Sequence, residues 1–150
     1  MKKSKITKIT QIILKLILII GTICLFIIPR LYNLLSDSGI PTFQSHTTYY
    51  KIAFYLCYII SLSVIYILHY IFNNIYKDTP FKKEIELSLK LIAILFMSLS
   101  IIIIIKTIYI PTILSLAVII VTSVASLCFY TLSQIFKVAI NYKKEIDYTI

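Results

Sequence analysis

The sequence predicts an all-α integral membrane protein, a four-helix bundle with both termini on the cytoplasmic side. Three observations carry this. From Leu91 to Tyr130 about forty residues pass with one charge, Lys106, and one proline, Pro111. As a single helix that run would reach about 60 Å, twice the hydrocarbon core of a bilayer, so it must fold back on itself. The chain is 59% hydrophobic and 14% charged with a mean hydropathy of +0.94, far poorer in charge than a globular domain of its 150 residues. Its lysines, finally, cluster beside the apolar runs and almost all on alternate connections.

The first span runs over about 10–28, behind the basic start Met1-Lys2-Lys3-Ser4-Lys5. A charged start and an apolar middle resemble a signal peptide. No small-x-small cleavage site follows, and Phe26-Ile27-Ile28-Pro29-Arg30 closes the segment, so an uncleaved first helix is expected. Lys15, near its start, can reach the headgroups by snorkelling. A polar outer loop over 30–50 follows, with Gly39 and Pro41 as breakers. The second span is about 53–72, and 73–90 is a charged cytoplasmic loop.

The third and fourth spans, about 91–108 and 112–133, make a hairpin whose bend is Lys106–Thr112. The run Ile101–Ile105 has strand-forming side chains, but an open strand facing lipid would leave its backbone unpaired, and helix is expected. In the tail, 134–150, Leu132, Ile135, Phe136, Ala139 and Ile140 recur at helical spacing opposite Lys137, Lys143 and Lys144. An amphipathic continuation of the last helix is expected there. The whole forms one membrane domain.

Orientation follows from the lysines. Lys2, Lys3, Lys5, Lys8, Lys77, Lys82, Lys83, Lys90, Lys137, Lys143 and Lys144 fall on one side, and only Arg30, Lys51 and Lys106 on the other. Positive charge stays inside, which places both termini in the cytoplasm of a cytoplasmic-membrane protein. The net charge of +9 therefore suggests contact with anionic lipid rather than direct nucleic-acid binding.

Every acidic residue lies outside the spans: Asp37, Asp78, Glu84, Glu86, Glu145 and Asp147. An intramembrane proton relay or aspartyl protease needs a carboxylate at depth. With two glycines in the chain no glycine-rich phosphate loop can form, and no HExxH occurs. Cys24, Cys57 and Cys128 fall in three different spans without metal-ligand spacing, and are expected to be packing residues. No catalytic residue, cofactor or metal site is assigned.

The second span is the most polar. At about 100° per residue Lys51, Tyr55, Tyr58, Tyr66, His69 and Asn73 share one face, interrupted only by Leu62. The stripe either contacts a ligand, peptide or partner helix, or supplies interhelical hydrogen bonds; the second is favoured. Ser115, Thr122, Ser126 and Ser133 likewise share a face of the fourth span, better suited to close helix packing than to lining a pore.

Two cytoplasmic stretches carry a family resemblance. Thr79-Pro80-Phe81-Lys82-Lys83-Glu84 followed by Leu89-Lys90-Leu91-Ile92, and Leu132-Ser133-Gln134-Ile135-Phe136-Lys137 with Ala139 and the ending Lys143–Ile150, resemble the two signature motifs of a bacterial family of small four-span proteins. These are the YoaS-like proteins, domain of unknown function 2975. Ile85 and Ile146 stand where the family pattern has asparagine. Family members are often encoded beside a small helix-turn-helix regulator, so the resemblance implies a membrane protein that senses or sequesters such a regulator. The expected docking surface comprises Pro80, Phe81, Glu84, Phe136, Lys137, Glu145 and Asp147. Alternatives are an immunity protein that meets a membrane-active bacteriocin peptide, and, third, a channel or transporter subunit. The sequence fixes no oligomeric state.

Overall fold

The computed structural model describes residues 5–37, 47–76, 83–109 and 111–148. Four helices account for nearly all of them: α1 (Lys5–Asp37), α2 (Thr47–Tyr76), α3 (Lys83–Tyr109) and α4 (Ile113–Tyr148). No strand occurs among the described residues. Each helix contains a segment long and apolar enough to cross a membrane: Lys8–Ile27, Lys51–Ile75, Lys83–Tyr109 and Ile113–Ile146.

The helices are longer than the expected spans. Of the outer loop expected over 30–50, residues 30–37 continue α1 and 47–50 begin α2; 38–46 lie outside the described residues. Pro29 does not stop α1. Its missing N–H deprives the Leu25 carbonyl of one hydrogen bond, a loss that membrane helices tolerate. Of the cytoplasmic loop expected over 73–90, residues 73–76 finish α2 and 83–90 open α3. Glu84 and Glu86 lie in the first turn of α3, where the positive end of the helix dipole favours carboxylates. Charges that looked like a loop are thus a helix start.

Cross-helix bonds fix the directions. Gln11 of α1 bonds Asn73 of α2, Tyr70 of α2 bonds Glu84 of α3, and Lys106 of α3 bonds Ser115 of α4. The helices therefore run up, down, up and down, with the start of α1 and the end of α4 at the same end of the molecule. Among the described residues α1 packs on α2, α2 on α3 and α3 on α4, with no close approach between other pairs. The packing order is the chain order.

A core cluster of Val64 and Ile71 from α2 with Ile85, Leu89 and Ile92 from α3 lies between these two helices. Phe96 of α3 and Phe129 and Phe136 of α4 pack against it, and the Phe96 and Phe129 rings stack at 5.6 Å. Ile85, where the resembled pattern has asparagine, is 0% exposed in this cluster. Beyond the cluster Ala93, Leu99 and Ile140 are also buried, and many large apolar side chains face outward along all four helices. Burial thus follows membrane rules, with lipid solvating what water could not. The outward hydroxyls agree: Thr22, Ser61 and Thr131 each donate to the carbonyl four residues back, at 2.8, 2.8 and 2.9 Å. In hydrocarbon an unbonded hydroxyl is costly, and these carry their own partner.

Candidate functional site

The polar face of α2 is its contact with α1. Tyr58 donates its hydroxyl to the Gly21 carbonyl at 2.6 Å, and Leu62, the apolar interruption in the stripe, packs on Gly21. A Cβ on residue 21 would lie 2.6 Å from Leu62 Cδ2, so glycine sets how closely the two helices approach. Further along the same face the Gln11 amide donates to Asn73 Oδ1 at 3.4 Å. His69 lies between these anchors, half-buried, and its Nδ1 is enclosed without a hydrogen-bond partner. Tyr55 is half-buried, whereas Tyr66 is 62% exposed and flanks the contact instead of joining it. Periodicity finds the face but not its edges.

Between α3 and α4 the small-residue face is a buried seam. Ser115, Thr122, Ser126 and Ser133 are all buried. Thr122 and Ser100 share a hydroxyl bond at 2.7 Å, Ser123 donates to Ser100 at 3.3 Å, and Ser126 donates to the Ala93 carbonyl at 2.8 Å. At the bend between α3 and α4 Lys106 donates to Ser115 at 2.9 Å and to Thr112 at 3.3 Å, while the Thr112 and Ser115 hydroxyls bond each other. Thr112 also caps α4, its carbonyl and hydroxyl receiving the Ser115 N–H at 3.0 and 3.3 Å. Ser115, Thr122 and Ser126 thus bond across the contact, whereas the enclosed Ser133 Oγ has no hydrogen-bond partner among the described residues.

The expected docking residues divide. Pro80 and Phe81 lie outside the described residues, as does the Asp147 side chain within α4. Glu84 is exposed and accepts the Tyr70 hydroxyl at 2.9 Å, so it holds α2 to α3. Phe136 turns inward against the core cluster, Lys137 is exposed, and Glu145 is exposed. Phe136, Ala139 and Ile140 share the inward side of α4, and the outward apolar row is Ile135, Val138, Tyr142 and Ile146. Of the face expected from the sequence, only Leu132 and Ile135 face outward. An inward and an outward row both recur at helical spacing, and a single sequence does not tell them apart.

Among the described residues no three His, Cys, Asp or Glu side chains converge as a metal site would require, and Cys24, Cys57 and Cys128 are free thiols.

A family model described as "Protein of unknown function (DUF2975)" matches residues 29–150. Neither the curated proteins nor the solved structures contain a match.

Proposed function

Since the chain belongs to the DUF2975 family of proteins of unknown function, we propose that it is a non-enzymatic, multi-pass protein of the cytoplasmic membrane that senses or sequesters a small helix-turn-helix regulator. The observation that supports this reading is the length of α4. Its 36 residues extend about 54 Å, beyond the 40–45 Å of a bilayer with its headgroups. Since Ser126 meets Ala93, the first residue of α3 is level with about residue 136 of α4, and the remainder projects past it.

That projecting piece carries Val138, Tyr142 and Ile146 exposed on one side, with Lys137 and Lys144 exposed on another. An apolar row bordered by cations is a surface that a protein partner with an acidic rim can cover. It lies at the same end as the last residues of α2 and the first of α3, and the other family-like motif falls in sequence between those two helices. The lysine distribution supports placing this end in the cytoplasm, where a DNA-binding regulator would meet it.

The test is co-purification of the full chain with small helix-turn-helix regulators from the same cells, together with the location of any such regulator in those cells. Capture by the full chain, and its loss when the chain is cut after Ser133, is the expected result. No capture, with regulator location unchanged on deleting the membrane protein, would sink the proposal.

A further inference from the structure

At the lysine-rich end of the α1–α2 contact, cationic and amide donors gather with no carboxylate on either helix at that end among the described residues. Lys8, Gln11 and Lys15 recur at i, i+3 and i+7, so they share one side of α1. On α2, His69 and Asn73 are one turn apart on the face that carries Tyr58 and Leu62 into contact with Gly21. The Gln11–Asn73 bond sets the level of the two helices. They are antiparallel, so one turn inward from this bond lies Lys15 on α1 and His69 on α2. A lysine stem leans toward the start of its own helix, which carries the Lys15 ammonium back toward the Gln11 level and the membrane surface.

Three facts mark this groove as a place for an anion. Lys8 and Lys15 are exposed, and neither has a partner among the described residues. The His69 Nδ1 is enclosed and unbonded, while Asn73 spends only its carbonyl on Gln11 and keeps its amide N–H groups. At this end neither α1 nor α2 has a carboxylate among the described residues, and the nearest on α3, Glu84, is held by Tyr70.

We propose that this groove binds the phosphate of an anionic phospholipid headgroup. Two ammonium groups, amide N–H groups and an imidazole suit an oxyanion with several acceptor oxygens. The groove opens at the depth where a bilayer presents its phosphates, within about 10 Å of the start of the first span. The site rests on the membrane reading and is independent of any regulator.

The test is native mass spectrometry of the purified full chain equilibrated with equal amounts of phosphatidylglycerol and phosphatidylcholine. The wild type should retain phosphatidylglycerol in preference. The Lys8→Gln, Lys15→Gln double variant should lose about tenfold of that retention. The matched pair Lys137→Gln, Lys144→Gln on α4 should change it by less than about twofold. His69→Leu, which keeps both charges, should lower retention severalfold, and it keeps the test open if the double variant fails to fold. Equal losses from the α1 and α4 pairs, or no preference over phosphatidylcholine, would overturn the site. Displacement of the lipid by inorganic phosphate would reassign the groove to a soluble anion and overturn the headgroup proposal; its retention supports it.

Discussion

Replacing Tyr58 by phenylalanine removes one hydroxyl and leaves the ring, so it isolates the bond to the Gly21 carbonyl. The expected cost is about 0.5–1 kcal/mol, the range for interhelical hydrogen bonds in membranes, measured by denaturant titration in mixed micelles. An unchanged midpoint would show that the bond contributes nothing. Ile85 gives a larger effect in the opposite chemical direction. It is fully enclosed in the α2–α3 cluster, so Ile85→Asn puts an amide among Val64, Ile71, Leu89 and Ile92. A loss of about 2–4 kcal/mol is expected in the same titration, and a loss under about 0.5 kcal/mol would mean the site supplies a polar partner. The asparagine of the resembled pattern therefore has no counterpart here, because the position packs apolar core. At this scale the serine–threonine face of α4 was legible, since 115, 122, 126 and 133 keep one helical phase and small residues leave few roles but packing. Tyr66 was not, because phase alone does not say where a neighbouring helix ends.

The four elements were legible as apolar runs, and their ends were not. Sequence hydropathy stops where charge begins, but a helix does not. Lys83–Lys90 is helical because Glu84 and Glu86 favour a helix start, and residues 30–37 are helical although Pro29 precedes them. α3 ends at Tyr109 and α4 begins at Ile113, and the start of α4 is held by the Thr112 cap. Thr112→Ala removes the hydroxyl that receives the Ser115 N–H and the Lys106 ammonium. It should destabilise the hairpin by about 1 kcal/mol and raise hydrogen exchange at the first turn of α4. Exchange there equal to wild type would show that the cap is idle. At the other end of α4, the outward row Ile135, Val138, Tyr142 and Ile146 escaped the sequence because Phe136, Ala139 and Ile140 offer an equally regular rival.

At the scale of the molecule, two antiparallel hairpins are held in series, and each contact uses a different device. A glycine and two polar bonds join α1 to α2, an apolar cluster joins α2 to α3, and a hydroxyl seam joins α3 to α4. The ladder of cross-bonds brings Lys8, Lys15, Lys83, Lys90, Lys137 and Lys144 to one end and leaves Arg30, Lys51 and Lys106 at the other. That asymmetry was legible in the sequence, because counting lysines between apolar runs needs no knowledge of packing. The serial arrangement was not, because exposed and buried apolar faces look alike in a chain that lipid surrounds. The proposals for the α4 end and for the α1–α2 groove both require that the lysine-rich end share one side of the membrane. The direct measurement is labelling of single cysteines, introduced at Ser45, at Thr79 and at Thr149 in a chain free of its native thiols, by a membrane-impermeant maleimide in intact and in opened cells. Thr149→Cys and Thr79→Cys should label only after opening, and Ser45→Cys in intact cells. Labelling of Ser45→Cys and Thr79→Cys from the same side would contradict the four-span account.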